Sequence, residues 1–165
     1  MCEAVAYQQL SGKAAATIYG RFRSLTDESR SLDPLLVSKL SEEQLRGCGL
    51  SRAKSAAIQD LSAKTLEGVV PGHASLAPLS DQDIIDRLIS VRGIGPWSVK
   101  MYLMFRLGRP DVLPQTDLGI RKGVMRTYGL PKMPTPKQVI VLAEDWRPFR
   151  TLASWYLWRS LELDQ

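Results

Sequence analysis

Residues that begin helices recur so often along this chain that they leave little room for strands. Asp33 and Pro34 suit an N-cap and the first helical position, and Ser41, Ser51 and Thr135 open further helices in similar ways. The first predicted helix runs from Ser11-Gly12 toward Phe22, and the next three start at Asp33, Ser41 and Ser51. A loop is predicted from Leu66 to Pro78, followed by a helix from a Ser80 cap to about Ser90. The last four predicted helices lie at about 96–107, 117–128, 136–145 and 148–163. This pattern favours an all-α fold.

The length and composition are typical of one intracellular domain. With 165 residues, of which 44% are hydrophobic, the chain can bury a core within a single helical domain spanning 1–165. No apolar run approaches the roughly 20 residues that span a membrane, and the segment after Met1 lacks the features of a signal peptide. Cys2 and Cys48 do not fit a disulfide framework or a metal site, so we predict plain thiols. We expect the protein in the cytoplasm or nucleoid of a bacterium, or in the nucleus of a eukaryote.

The positive charge of the chain lies in its second half. Residues 1–82 carry nine basic and nine acidic side chains, whereas residues 83–165 carry 13 basic and eight acidic ones, so the net charge of +5 belongs to the latter. Any polyanionic partner should therefore meet the second half. Charge alone does not separate a nucleic-acid-binding protein from the many basic proteins that bind no polyanion.

A glycine-rich turn separates two of the predicted helices. Gly93 and Gly95 allow positive φ angles and the close approach of another molecule's backbone, and Pro96 suits the first position of the following helix. The amides at such a helix N-terminus can hold a phosphate. The alternative is a tight helix–helix turn that binds nothing, and Gly-Ile-Gly by itself favours that alternative.

The sequence on both sides of this hairpin changes the interpretation. Apolar residues lead into it from Ile84 and out of it to Phe105, and the segment RPDVLPQTDLGIRKG follows at 109–123. With AYQQLSGKAAATI near the start and DWRPFRTLASWYLWR near the end, these segments resemble the helix-hairpin-helix DNA glycosylase superfamily, in its 3-methyladenine DNA glycosylase II branch. The resemblance covers nearly the whole chain. It implies an all-α fold of two closely packed helical lobes with the active-site cleft between them, and a hairpin module at about 81–107.

The resemblance implies that the hairpin binds the backbone of double-stranded DNA that contains damaged bases. The expected contacts come from Gly93, Ile94 and Gly95. Family members often hold a monovalent cation, Na⁺ or K⁺, through hairpin carbonyls that correspond here to Ile89, Val91 and Ile94. This cation would bridge the protein and a phosphate, and no other cofactor is expected.

The resemblance also implies that the target base leaves the duplex and that a side chain fills the gap. In the family a residue of a Gln-Leu pair fills it, and Gln9 and Leu10 correspond to that pair. The alternative for both residues is an ordinary helix end.

Two tryptophans correspond to the base pocket of the family, and a methionine lies one helical turn from one of them, although methionine more often fills gaps in a core. Trp97 and Trp158 would stack on a cationic methylated purine, and Met101, one helical turn after Trp97, would face the same pocket. Core packing is the alternative for Trp158, which lies in an apolar helix. Trp146 and Trp155 are predicted to belong to the core.

Asp117 corresponds to the essential aspartate of the family. A fixed carboxylate can stabilise the oxocarbenium-like state through which a base leaves deoxyribose, and it can orient or deprotonate water. The alternative role is an N-cap of the next helix, and the two roles are compatible. Asp111 is expected to be a turn or surface residue. Bifunctional members have a lysine at the position of Trp97, and Lys100 is not expected to replace it, so no strand cleavage is predicted.

We therefore predict a monomeric, monofunctional DNA glycosylase that releases alkylated purines of the 3-methyladenine and 7-methylguanine type in base excision repair. Two alternatives stay open: a helix-hairpin-helix module that binds DNA without catalysis, and a glycosylase for deaminated or etheno bases. The hairpin and the charge suffice for the module, whereas Asp117 and the pocket tryptophans favour an enzyme. The family usually has further residues before the segment that begins here at Met1, so we expect a shortened N-terminal part.

Overall fold

The computed structural model describes residues 1–10, 12–26 and 32–162, and every regular element within those ranges is a helix. The prediction of an all-α fold is therefore confirmed. The chain divides into two compact units, Met1–Val99 and Lys100–Gln165. No helix in the described ranges is long and apolar enough to cross a membrane.

The first unit consists of short helices around one longer helix. Its helices are α1 (Cys2–Tyr7), α2 (Gly12–Arg23), α3 (Pro34–Ser38), α4 (Glu42–Gly47), α5 (Arg52–Leu66), α6 (His73–Leu76), α7 (Asp81–Ile89) and the start of α8 (Pro96–Phe105). The single turn α6 corrects the prediction of a loop from Leu66 to Pro78, because Gly72 permits a helix start within it. Ser11, the predicted start of α2, lies outside the described residues.

Side-chain caps account for the helix starts that the sequence predicts in this unit. Asp33 Oδ1 accepts a hydrogen bond from an amide of α3, with Pro34 at the first position. Ser41 forms a reciprocal capping box with Gln44, and Ser51 accepts from an amide of α5. Each such cap stabilises its helix by about 1 kcal/mol. Because caps act within three residues, they are visible in the sequence and these starts are confirmed.

Helix α5 is the centre of the first unit. It packs against α1, α3 and α4, and its Ile58 is fully buried. Phe22 of α2, Val37 of α3 and Leu45 of α4 are also fully buried. Burying a side chain of this size stabilises the fold by roughly 1.5–3 kcal/mol, so these positions fix α5 among its neighbours.

The second unit contains the rest of α8, then α9 (Leu118–Thr127), α10 (Pro136–Leu142), a 3₁₀ turn (Ala143–Trp146) and α11 (Arg150–Ser160). Its buried core is formed by Leu113, Ile120, Val124, Val139, Ala143 and Leu157. Trp146 packs against this core as predicted. Trp155 does not: 45% of it is exposed, because it lies on a different face of α11 from the buried Leu157.

A glycine sets the distance between α9 and α11. Gly123 is buried in α9, and a Cβ at this position would lie 2.7 Å from the backbone oxygen of Leu157 and 2.9 Å from its Cβ. Real Cβ atoms do not approach other atoms so closely, so the two helices touch at a point where only glycine fits. This contact packs α11 directly against the middle of α9.

We predict that Gly123→Ala lowers the free energy of unfolding by about 1–3 kcal/mol, the usual effect of overpacking a core. The matched control is Gly20→Ala in α2, where a Cβ meets no atom within 4 Å. That variant should gain about 0.5–1 kcal/mol, because alanine is the better helix former. Urea denaturation of both variants measures the two changes, and a neutral or stabilising Gly123→Ala would contradict the close packing of α9 and α11.

Candidate functional site

The predicted wedge pair, Gln9 and Leu10, lies in an exposed turn between α1 and α2. Both side chains are exposed, and Leu10 is 41% accessible. Gln9 has a φ of +55°, in the left-handed region that residues other than glycine rarely adopt. Such backbone persists where its surroundings hold it, and it is concentrated at functional sites.

Two side chains that the sequence analysis missed hold this turn. The Nε2 group of Gln8 donates to Gly93 O at 3.2 Å and to Ser98 Oγ at 3.1 Å, which ties the turn to the hairpin. Lys54 Nζ donates to the carbonyl oxygens of Ala6 and Gln8 at 2.8 and 2.7 Å. Burial lowers the pKa of Lys54. The sequence feature that could have pointed to Gln8 is the doubled glutamine before Leu10.

The hairpin between α7 and α8 uses its two glycines differently. Gly93 has a φ of +74°, and a Cβ there would also press on Ala57 at 3.3 Å. Gly95 does not have positive φ, and a Cβ there would meet no atom within 4 Å, so Gly95 leaves space on the outer side. The side chain of Ile94 is buried, and its N–H donates to Val91 O at 3.1 Å within the hairpin.

Helix α5 also holds the hairpin. Asp60 Oδ2 accepts a hydrogen bond from the N–H of Arg92 at 2.7 Å and pairs with Lys64 Nζ at 2.9 Å. Lys64 Nζ donates in addition to Ser90 O at the end of α7. The hydrogen bond from the Arg92 N–H, then the hydrogen bond and the charge of Lys64, lower the pKa of Asp60 despite its partial burial.

The carbonyl groups predicted to bind a cation belong to Ile89, Val91 and Ile94. They are neutral oxygen donors, the class of ligand that suits hard cations. Val91 O already accepts from the Ile94 amide, but a carbonyl oxygen has a second lone pair. These donors fit a monovalent cation, and their role stays a prediction.

Helix α8 carries both Trp97 and Met101, one helical turn apart. Trp97 belongs to the first unit and is 43% exposed, whereas Met101 belongs to the second unit and is half-buried. Lys100 is also half-buried, and its Nζ donates to Gln115 Oε1 in the loop before Asp117. Burial, and then the charge of Arg150, lower the pKa of Lys100.

The carboxylate of Asp117 is held by two donors on a single oxygen. Its Oδ1 accepts from the N–H of Ile120 at 2.9 Å and from the indole Nε1–H of Trp158 at 2.8 Å. Asp117 is thus the N-cap of α9, and the capping role is real. The ring of Trp158 also packs 6.0 Å from that of Phe105 and against the core, so Trp158 has a structural role as well.

The contact between Asp117 and Trp158 requires a glycine. A Cβ at Gly119 would lie 2.7 Å from Trp158 Cδ1 and 3.1 Å from Asp117 Oδ1. Any larger residue would push the indole away from the carboxylate. Gly119 is not among the predicted site residues, although a glycine in the first turn of a predicted helix is a signal in the sequence.

Asp111 lies in a turn, as predicted, but it is a partly buried ion-pair partner and not a surface residue. It is 25% exposed, and Arg150 binds its carboxylate through Nε at 2.6 Å and Nη2 at 2.9 Å. Arg147 Nη1 adds a third bond at 2.8 Å. Burial alone would raise the pKa of Asp111, but the hydrogen bonds and charge of Arg150, with the charge of Arg147, lower it.

Thr151 pins the same loop at a second point. Its Oγ1 donates to Arg109 O at 2.6 Å and accepts from the N–H of Val112 at 3.0 Å. The start of α11 therefore fixes the path of the segment that leads to Asp117. These partners are about 40 residues apart in the chain, so the sequence gives no direct sign of them.

We predict that Asp111→Asn lowers the free energy of unfolding at pH 7 by roughly 1–3 kcal/mol, because it weakens charge-assisted hydrogen bonds. The folded state lowers the pKa of Asp111, so this stabilisation is fully present above the unfolded pKa of about 3.9 and is lost as the pH falls through the folded value. The gap between the two proteins should therefore close below about pH 4. Urea denaturation at several pH values measures it.

The matched control for that experiment is Glu162→Gln, which breaks an exposed ion pair with Arg159 on α11. Exposed pairs contribute little, so its effect should stay within about 0.5 kcal/mol. A gap for Asp111→Asn that keeps its full size at pH 3 would show that the carboxylate charge is not what stabilises the loop.

The chain is similar in sequence to known DNA repair proteins. A family model described as HhH-GPD superfamily base excision DNA repair protein matches residues 2–148. The DNA-3-methyladenine glycosylase 1 of Schizosaccharomyces pombe is 39% identical over 163 residues, which cover 99% of this chain and 72% of that protein.

Solved structures give the same likeness. The 3-methyladenine DNA glycosylase Mag1 of Schizosaccharomyces pombe, solved in complex with abasic DNA, matches with a TM-score of 0.85 and 38% identity, covering 98% of this chain and 78% of that one. A DNA-3-methyladenine glycosidase from Bacillus halodurans matches with a TM-score of 0.84 and 33% identity, covering 96% and 72%.

Proposed function

The chain belongs to the HhH-GPD superfamily of base excision DNA repair proteins, and from this membership and the site geometry we propose that it is a monofunctional alkylbase DNA glycosylase. Its substrates would be purines of the 3-methyladenine and 7-methylguanine type in double-stranded DNA. The observation that carries the proposal is the carboxylate of Asp117, which two N–H donors hold in one orientation. Membership of the superfamily indicates the class of reaction, and the fixed carboxylate indicates which residue would carry it out.

The proposed reaction needs one fixed anion and no acid. In a cationic methylated purine nucleotide, the bond from C1′ to the base nitrogen breaks and its electron pair stays with the nitrogen. The base therefore leaves as a neutral molecule. Positive charge develops on the sugar, and the carboxylate of Asp117 would stabilise it without reorganising at that moment. Water then adds to C1′ and loses a proton, which the same carboxylate would accept.

Recognition of the cationic base would rest on Trp97. An indole face attracts a cationic ring by about 0.5–2 kcal/mol, and stacking adds roughly 1–3 kcal/mol. Neutral purines would gain less, so the preference follows from charge. Trp158 is a less selective probe of recognition, because its N–H also holds Asp117. Met101, one turn along α8, would add an apolar contact.

Binding of the duplex would combine the hairpin and the wedge. The amides of Gly93 and Gly95 and the N-terminus of α8 suit a phosphate, whereas those of Arg92 and Ile94 donate within the protein. Gln9 or Leu10 would fill the gap that a flipped base leaves. A monovalent cation held by the carbonyls of the hairpin residues Ile89, Val91 and Ile94 would supply a positive charge for the same phosphate.

Strand cleavage is not part of the proposed activity. A lyase step needs an amine that forms a Schiff base with C1′, and this chain has Trp97 at the position where bifunctional enzymes have lysine. Lys100 is engaged with Gln115. The product should therefore be an abasic site in an intact strand.

We predict that Asp117→Asn slows single-turnover base release from a methylated duplex by roughly 10²-fold or more, a barrier increase of about 2.7 kcal/mol or more. Asparagine keeps an oxygen for the hydrogen bonds from Ile120 and Trp158 but lacks the negative charge. Affinity for the duplex should be preserved. Base release is measured by chromatography, with the folded fraction determined in parallel.

The matched control is Asp33→Asn, the same substitution at the N-cap of α3. It should leave base release unchanged. A protein that binds DNA without catalysis, or an Asp117 that only caps α9, would give equal rates for Asp117→Asn and wild type per folded molecule. That outcome would return the chain to the class of DNA-binding modules.

We also predict that Trp97→Ala reduces excision of methylated purines by about tenfold while changing affinity for undamaged duplex less than threefold, because stacking acts only on the flipped base. Trp155→Ala is the matched control, since the two indoles are exposed to nearly the same extent, 43% and 45%. Excision kinetics and fluorescence anisotropy measure the two effects. Equal losses of excision and of undamaged binding would remove Trp97 from base recognition.

A further inference from the structure

We propose that Gln8 and Lys54 are positioning residues that hold the wedge pair, Gln9 and Leu10, at a fixed distance from the hairpin that binds the DNA backbone. The inference rests on the proposed function, because it assigns these residues a part in the insertion of the wedge. It adds two side chains to the site that are not proposed to contact the DNA or the base themselves. Their effect would pass through the turn that they hold.

Gln8 connects the turn to two parts of the hairpin module. Its amide nitrogen has two hydrogens, and the two acceptors are Gly93 O at 3.2 Å and Ser98 Oγ at 3.1 Å. Gly93 lies at the tip of the hairpin, and Ser98, only 7% exposed, lies in the first turn of α8. One side chain thus fixes the residue before the wedge pair to the tip of the hairpin and to the helix that follows it.

Lys54, on α5, fixes the same turn through its backbone. It donates to the carbonyl oxygens of Ala6 and Gln8, at the C-terminal end of α1, where carbonyl groups lack helical partners and a positive charge is favourable. Ten residues further along α5, about 15 Å along its axis, Lys64 makes the corresponding contact with Ser90 O at the end of α7. A single helix therefore holds both the wedge turn and the hairpin.

The conformation of Gln9 explains why the turn needs these anchors. Its φ of +55° is unfavourable for a residue with a Cβ, so an unanchored turn would relax toward other conformations. Held in place, the wedge is ordered before DNA arrives, and binding does not have to supply the ordering entropy. The hairpin then sets which base the wedge meets.

The test compares two affinities for each variant. One is for undamaged duplex, and the other is for a duplex with a tetrahydrofuran abasic analogue opposite 2-aminopurine, whose fluorescence reports entry of the wedge. Gln8→Met, nearly the same size but without donors, should keep undamaged affinity within about twofold. Its preference for the abasic duplex, which is the ratio of its affinity for that duplex to its affinity for the undamaged one, should fall about tenfold. The fluorescence change should shrink with it.

Lys54 provides the second variant and a rescue. Lys54→Met should lose the abasic preference as Gln8→Met does, and Lys54→Arg, which retains donors for both carbonyls, should recover most of it. Gln82→Met is the matched control, since Gln82 is an exposed glutamine of α7 whose amide donates to Asp86 Oδ1 on the same helix. Its preference should equal that of wild type. Circular dichroism and melting temperature restrict the comparison to folded protein.

A double-mutant cycle separates positioning from general stability. In a background that carries both Gln9→Ala and Leu10→Ala, both side chains of the wedge pair are already removed, so Gln8→Met should lower the abasic preference no further. An additive loss in that background, an unchanged preference in both single variants, or equal losses for the two duplexes would each overturn the inference.

The outcomes also separate this inference from the proposed function, because the probe contains no base to excise. Wild type that releases no methylated purine but shows a preference that depends on Gln8 would refute the enzyme and support the positioning. Wild type that releases base normally, with Gln8→Met and Lys54→Met retaining full abasic preference, would refute the positioning and leave the enzyme.

Discussion

The polar groups at helix ends are the constraint on which this structure depends. Every helix leaves its first N–H and last C=O groups without internal partners, and a chain built from short helices has many such ends. The proposed catalytic residue, and the two lysines that hold the wedge turn and the hairpin, are partners of those ends. Asp117 caps the start of α9, Lys54 and Lys64 bind carbonyls at the ends of α1 and α7, and Pro96 begins α8 after the hairpin.

This coincidence explains how one carboxylate can serve both fold and chemistry. The cap and the indole bond of Asp117 fall on the same oxygen, so the geometry that stabilises α9 also aims the carboxylate. Gly119 and Gly123 make that geometry reachable, because one leaves room for Trp158 and the other lets α11 touch α9. The catalytic proposal therefore depends on two glycines that have no chemistry of their own.

The parts of the fold that sequence could predict are those decided within a few residues. Caps at Asp33 and Ser41 act over two or three positions, and the helix starts they predict are confirmed. The pair Gln8–Gly93 spans 85 residues and Arg150–Asp111 spans 39, so neither leaves a local pattern. The prediction that Trp155 belongs to the core is wrong for a similar reason. Whether its side chain is covered depends on elements far along the chain. Asp117 could be found because its segment resembles a known family.

Charge is divided between the units in a way that assigns them different parts in binding DNA. Residues 1–99, which contain the hairpin and the proposed wedge pair, carry 11 basic and 11 acidic side chains, whereas residues 100–165 carry 11 and six. Several cations of the second unit are engaged internally, among them Arg150 with Asp111 and Lys100 with Gln115. Net attraction to a polyanion, which is long-ranged and sensitive to salt, would therefore come from the second unit. The first unit, being neutral, would hold the phosphate through backbone amides, whose directions fix position in a way that net charge does not.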